Sequence, residues 1–466
     1  MKEPHPVSHP HFHFIGICGT AMGSVAAAMR QRGFKITGSD QGIYPPMSTF
    51  LETQGIELSA GFKPENIPAG TDTVVVGNAI SRGNPELESV LDRKLLYTSL
   101  PEVLKHHFLH GRRNLVVTGT HGKTTTSSLL TWILESAGKN PSHMIGGIPK
   151  NLGQGARFTD SEFTVLEGDE YDTAFFDKRS KFHHYLPEVV IVNNIEFDHA
   201  DIFSDLDEIK LSFKRLLNIV PHNGQVFINA DDPNCLEVAQ NCPAPVQSIG
   251  FAAGADLRIE NIDYLPGESS FSLAGESYRI EMDGEYNVRN AAMAISAARF
   301  AGLGPAEIRA GLGSFAGIAR RQEIRGEANG VKVIDDFGHH PTAIKGAIAG
   351  FRQRFPGARL WALFEPRSNT TKRKVSQQTL PGAFADTDGV FICAINQPEK
   401  VPENDRLDPQ QVIADIRASG VAEAHYEPDA DAIVSKLAPL TQPGDIIVVF
   451  SNGGFDGIHD KLLAAL

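Results

Sequence analysis

The stretch "VVTGTHGKTTTSSLL", Val116 to Leu130, sets an apolar run before a glycine turn, a lysine and three threonines, then resumes an apolar pattern. That order suits an anion. The turn offers backbone N–H groups at a helix N-terminus, where the partial positive charge favours phosphate oxygens. Gly119, Thr120, His121, Gly122, Lys123, Thr124 and Thr125 are the candidate cradle for a nucleoside triphosphate. Lys123 would reach the β/γ-phosphates and Thr124 a magnesium ion. Val117 stands where the usual G-x-x-x-x-G-K-[ST] pattern has its first glycine, so the loop is a variant.

Three further groups of residues could do chemistry. "LEGDEYD" carries Glu167, Asp169, Glu170 and Asp172, and "NNIEFDH" carries Glu196, Asp198 and His199. Carboxylate oxygens suit Mg²⁺, and a neutral imidazole can join a second, more accommodating ion site. Near the start, "GICGTAMG" places Gly16, Gly19 and Gly23 after one strand, with Asp40 after the next. This is close to a dinucleotide fingerprint, but Cys18 replaces its second glycine, which favours another phosphate-bearing ligand over NAD. Toward the end, "DDFGHHPTAI" and "FEPRSNTTKR" bring Asp336, His339, His340, Arg367, Ser368 and Asn369. An aspartate can accept ribose hydroxyls, and an arginine can pair bidentately with a carboxylate. Neither carboxylate nor cysteine stands at ligand spacing from the paired histidines, so hydrogen bonding to a ligand ranks above metal binding for them.

Short Val/Ile-rich runs alternating with helical patterns must position these groups, which is the signature of parallel sheets built from βαβ units. Nearly every run ends in polar residues, at the carboxyl ends where open α/β sheets bind ligands. The expected fold is α/β with three domains: a Rossmann-like unit over 1–110, a P-loop ATPase-like unit over 111–316 and a Rossmann-like unit over 317–466. The central unit combines a parallel sheet with a small antiparallel one, read from "LRIENIDYLPGESSFSLAGESYRIEMDGEYN". A chain of 466 residues is long enough for several cores, and 41% hydrophobic with 21% charged residues is an ordinary globular composition. A net charge of -13 argues against nucleic acid as partner. No segment reads as a membrane span or signal, and the four unpaired cysteines suit a reducing compartment, so a cytoplasmic location is expected. The Pro/His-rich leader, with His5, His9, His11 and His13, reads as an irregular N-terminus.

The ordered motifs "GTHGKTTT", "EGDEYD", "NNIEFDHADIF", "EYNVRN", "ARRQE" and "DDFGHHPT" together resemble those of the Mur ligases over nearly the whole chain. The resemblance implies ATP-dependent joining of an acid to an amine through an acyl phosphate, with Mg²⁺, two ions by expectation. ATP, UDP-N-acetylmuramate and a cell-wall tripeptide, L-alanyl-γ-D-glutamyl-meso-diaminopimelate, are the implied small-molecule substrates. The alternative amino substrate is L-alanine. "YPPMSTFLE", "GNAISRGNPE", "AFFDKRSKFHHY", "FEPRSNT" and "SNGGFDGIHDKLL" resemble the family members that use the tripeptide, and that resemblance favours it. Carried over by motif, Lys123, Glu167 and His199 are implied as catalytic, and Thr124, Glu167 and His199 as metal ligands. Asn287, Asn290, Arg321, Asp336 and His340 are implied for ATP, and Gly16, Gly19, Thr20, Asp40, Asn78 and Ser81 for the UDP-sugar. Arg367, Ser368, Asn369 and the "SNGGFDGIH" loop would meet the peptide. Some relatives carbamylate a lysine near the metals, but Lys210 and Lys214 here read as plain lysines of a surface helix. "FFDKRSKF" is either a substrate-facing loop or a solvated charged segment. A monomer or weak homodimer is expected, with no membrane partner.

Overall fold

The computed structural model describes residues 10–45 and 47–466. The first sheet has five parallel strands, His11–Ile15, Lys35–Asp40, Glu57–Ala60, Thr73–Val76 and Tyr97–Ser99, in the spatial order third, second, first, fourth, fifth. Chain order reverses between the first and fourth strands, and there Gly16 and Gly77 leave the sheet at its carboxyl edge. Such a reversal opens a crevice for a ligand.

The central sheet has ten strands. The strand Arg113–Thr118, which feeds the phosphate loop, lies between Phe163–Glu167 and Pro187–Val192, both parallel to it. The two acidic motifs therefore leave the sheet on either side of the loop. At one end Leu257–Leu265, Glu268–Leu273 and Glu276–Ile280 form an antiparallel meander, joined to the parallel strands through Ile249 opposite Leu257 and Gly250 opposite Arg258. The loop runs into the helix Lys123–Ser136, almost wholly buried despite its hydroxyls. Those hydroxyls are satisfied within the helix: Ser127, Ser128 and Thr131 donate to the carbonyls of Lys123, Thr124 and Ser127 at 2.8, 2.6 and 2.7 Å. The alanine-rich helix Glu285–Phe300 packs in the same core, its small side chains allowing close approach.

The third sheet holds six strands, five of them parallel, with Glu323–Ala328 antiparallel at one edge. Val331–Asp336, Leu360–Phe364 and Ile446–Phe450 are its central strands, and their carboxyl ends present "FGHHP", "EPRSN" and "SNGG" to one side.

The leader corrects one expectation. His5 and His9 lie outside the described residues, but His11 and His13 belong to the first strand and are buried. His13 Nε2 lies 2.7 Å from Glu86 Oε1 and its Nδ1 2.8 Å from Thr37 Oγ1, so the imidazole is a core polar group whose partner lies far along the chain. "FFDKRSKF" forms a short hairpin, Asp172–Ala174 with Asp177–Ser180, whose Phe176 packs edge-on against Tyr97 of the first unit. Lys210 and Lys214 sit on the helix Leu206–Leu217 and pair with Glu237 at 2.7 and 3.1 Å. The four cysteines are free thiols. Among the described residues no helix is long and apolar enough to cross a membrane.

Candidate active site

The phosphate loop is shaped from outside as well as by its own glycines. Gly122 caps the helix at φ 77°, a left-handed conformation that favours glycine, and a Cβ there would lie 2.4 Å from Asn290 Oδ1. Asn194 Oδ1 accepts from the His121 amide at 2.7 Å, and Asn193 Nδ2 donates to Thr126 Oγ1 at 3.1 Å. Val117 is buried inside the strand, opposite Ile191 and Glu167, so the turn starts two residues later than in the usual pattern.

Around Lys123 the charges interlock. Its Nζ lies 2.7 Å from Glu170 Oε2. Burial disfavours the ammonium, but Glu170 and Asp169 outweigh it and hold its pKa above the ordinary lysine value. Thr124 Oγ1 donates to Glu167 Oε1 at 3.0 Å, the Gly146 amide to Glu167 Oε2 at 2.8 Å, and Arg321 Nη2 to Thr124 Oγ1 at 3.3 Å. His199 Nε2 stands 3.4 Å from Glu170 Oε1, with its ring against Tyr171. Burial works against its charge, yet the Glu170 hydrogen bond raises its pKa. Ligating atoms of Asp169, Glu170 and His199 all fall within 4.8 Å of one another. Hard oxygens with one imidazole, beside a phosphate loop, are a donor set that fits Mg²⁺.

A cavity of about 640 Å³ opens beside the loop. Thr120, His121, Gly122, Lys123, Thr124 and Thr125 line it from below, and Asn287, Asn290, Arg321, Asp336 and His340 from the sides. Gly119 is not among its lining residues. The Asp336 carboxylate accepts from the amides of Gly338 and Gln322 at 2.7 and 3.0 Å, and burial raises its pKa. His339 and His340 turn to different partners: His339 lies 3.8 Å from Asp198 and His340 3.3 Å from Glu196.

A second cavity of about 1110 Å³ sits over the first sheet's crevice, lined by Gly16, Gly19, Thr20, Asp40 and Asn78. Asp40 Oδ2 accepts from the Cys18 amide at 2.9 Å and Oδ1 from the Gly42 amide at 3.0 Å, so this aspartate also fixes the glycine loop. Ser81 is exposed and stands apart from the cavity lining.

Between these two lies a chamber of about 710 Å³ walled by all three units. Gly19, Thr20 and Asn78 come from the first, Glu167, Asp169 and His199 from the second, and Arg367, Ser368 and Asn369 from the third. Arg367 Nη1 donates to Glu365 Oε1 at 3.3 Å, and Asn369 Nδ2 to Asp201 Oδ2 at 2.7 Å. Lys181, within "FFDKRSKF", and Asn452, within "SNGGFDGIH", also line the chamber; so does Tyr171, and sequence reasoning singled out neither it nor the two asparagines that brace the loop. Tyr171 sits inside the acidic motif and Asn193 and Asn194 open "NNIEFDH", so position after a strand was the available signal.

A phosphate loop with an acidic and imidazole donor set, a crevice over the first sheet and a chamber where all three units meet fit an enzyme that joins two substrates at the expense of a nucleoside triphosphate. Residues 11–112 match "Mur ligase family, catalytic domain", residues 117–298 "Mur ligase middle domain" and residues 320–453 "Mur ligase, glutamate ligase domain". The chain belongs to the Mur ligase family. It is 44% identical over 459 residues, 97% of this chain and 98% of the relative, to the UDP-N-acetylmuramate–L-alanyl-γ-D-glutamyl-meso-2,6-diaminoheptandioate ligase of Escherichia coli (strain K12). A UDP-N-acetylmuramate–L-alanine ligase of Rubrobacter xylanophilus is 31% identical over 97% of this chain and 99% of its own. The crystal structure of a murein peptide ligase from Psychrobacter arcticus 273-4 superposes with a TM-score of 0.72 at 35% identity, covering 98% of both chains.

Proposed function

We propose that this protein is an ATP-dependent ligase that joins the carboxyl group of UDP-N-acetylmuramate to the free amine of L-alanyl-γ-D-glutamyl-meso-diaminopimelate, in the cytoplasm, as a step of cell-wall peptide recycling. The chamber where all three units meet carries this reading, because a ligase must bring a carboxylate, a γ-phosphate and an amine to one point. The stronger likeness to the tripeptide ligase than to the alanine ligase favours the tripeptide as amino substrate.

A carboxylate is a poor acyl donor. Its oxygen attacks the γ-phosphorus, ADP leaves, and the amine then displaces phosphate from the acyl carbon. Lys123 and the loop amides hold the β/γ-phosphates and offset their charge, and Arg321 adds a second cation beside Thr124. Thr124 and Glu167 would hold one Mg²⁺ and His199, with Asp169 or Glu170, a second; the ions supply charge neutralisation at the transferring phosphoryl group. Gly16, Gly19, Thr20, Asp40 and Asn78 bind the UDP-sugar, and Arg367, Ser368 and Asn369 receive the peptide's carboxylates. The test is phosphate release with ATP, Mg²⁺ and UDP-N-acetylmuramate, comparing tripeptide with L-alanine. Turnover with tripeptide alone is the expected result; turnover with alanine alone would overturn the assignment of the amino substrate.

A further inference from the structure

A cluster of two imidazoles and one carboxylate lies apart from the Asp169, Glu170 and His199 set. His121 belongs to the phosphate loop, Glu196 to the segment after the strand Pro187–Val192, and His340 caps the helix Pro341–Arg354. Their ligating atoms all lie within 4.8 Å of one another. His121 Nε2 is 2.6 Å and His340 Nδ1 3.3 Å from Glu196 Oε2. Thr342 Oγ1 donates to the other carboxylate oxygen at 3.0 Å and orients it.

We propose that His121, Glu196 and His340 form a transition-metal site for Zn²⁺ or an ion of its class. Two imidazoles and one carboxylate favour such an ion over Mg²⁺, which prefers oxygen throughout. Bonds of about 2.0–2.1 Å at tetrahedral angles separate neighbouring ligand atoms by about 3.3 Å. The His340 contact already has that spacing, and the His121 contact needs to open by less than about 1 Å. The Thr342 amide approaches His340 Nδ1 at a long 3.3 Å, a weak contact for an ion to displace.

The site has a consequence for the enzyme. His340 comes from the third unit and the other two ligands from the central one, so a bound ion ties the units together. All three residues wall the 640 Å³ cavity, so the ion also occupies ground needed by the nucleotide. Free zinc therefore competes with ATP. That competition rests on the nucleotide reading above, whereas metal binding does not.

The test is a Co²⁺ titration of the full-length protein without nucleotide or Mg²⁺, in a His5→Ala, His9→Ala background, followed by visible absorption and by displacement with Zn²⁺. His340→Asn keeps a helix-capping acceptor while removing the imidazole, and His121→Gln is the independent second variant. Each is expected to weaken at least about tenfold the Co²⁺ equivalent held by the two imidazoles and Glu196, while His199→Asn removes only the separate equivalent held by Asp169, Glu170 and His199. If both variants bind as the parent does, or if only His199→Asn loses an equivalent, the proposal fails. Adenosine, which lacks the phosphates that would chelate the ion in solution, is added at the end and is expected to displace it. Histidine-dependent binding that adenosine cannot displace would keep the metal site and refute the nucleotide reading of that wall.

Discussion

Gly453→Ala should separate peptide recognition from folding. A Cβ at this position would stand 2.2 Å from Arg367 Nε and 2.5 Å from its Cζ, so the guanidinium must move. The backbone there is not left-handed, and the atoms met belong to a flexible side chain, so the cost in stability is small, about 0.5–1 kcal/mol. What is lost is the position of Arg367. An arginine–carboxylate pair is among the stronger polar contacts, but this side chain is 40% exposed, so we discount the loss to about 1–2 kcal/mol. That corresponds to a rise of about 5- to 30-fold in the KM for tripeptide. The KM values for ATP and UDP-N-acetylmuramate should stay within about twofold, because their cavities are lined by other residues. Gly454→Ala is the matched control, since its Cβ would meet nothing within 4 Å. Steady-state phosphate release with each substrate varied in turn measures all three constants. An unchanged tripeptide KM in a stably folded Gly453→Ala enzyme would refute the placement of the peptide at Arg367.

Gly122→Ala combines a left-handed φ with a clash against Asn290, and should lower kcat/KM for ATP about a hundredfold while leaving UDP-N-acetylmuramate binding intact, as calorimetry with each ligand would show. Glu86→Ala removes the acceptor shared by His13, Ser39, the Lys63 amide and Asn66, all at 2.7–3.2 Å, and should destabilise the first unit by about 3–5 kcal/mol. Neither tryptophan, Trp132 or Trp361, lies in that unit, so hydrogen exchange of the strands His11–Ile15 and Lys35–Asp40 is the measurement, and a loss below about 1 kcal/mol would contradict the account. His143 is fully buried, and burial, aided by Arg157, pushes its pKa down to about 4. Only the unfolded chain takes up this proton as pH falls below about 6.5, so stability is full above that pH and declines toward pH 4 by about 3 kcal/mol. His143→Leu should flatten that part of the profile in urea titrations run at stepped pH.

Much of the architecture was legible because buried parallel strands announce themselves as Val/Ile runs and because their carboxyl ends are where ligands bind. The phosphate loop was readable even with Val117 in place of a glycine, since the strand simply runs further before the turn. Contacts between distant segments were not readable. Glu170 stands in the quoted acidic motif, but nothing local says that it, rather than Asp169, reaches Lys123. His13 reads as leader because prolines and histidines precede it, although Phe12 and Phe14 flank it; the carboxylate that makes it a core residue lies 73 positions away. Ser81 follows a strand as Asn78 does, yet the turn points it to solvent.

A further set of distant contacts converges on one segment, residues 196–201. Thr342 donates to Glu196, His339 faces Asp198, the Ala200 amide donates to Thr370 Oγ1 at 3.3 Å, and Asn369 donates to Asp201. Every one of these partners belongs to the third unit. In the middle stands His199 at φ 55°, a left-handed conformation uncommon for a non-glycine residue, which its bonded neighbours on both sides must enforce. The His199 carbonyl accepts from the Ile202 and Phe203 amides, so its own bonds stay within the central unit while the third unit braces the residues on either side of it. In the proposed reaction, seating a peptide carboxylate at Asn369 bears on the segment that carries His199 through the Asn369–Asp201 hydrogen bond. An enzyme that must keep an acyl phosphate from water until an amine is present gains from that link, because a group that receives the peptide also braces the segment beside the phosphate loop.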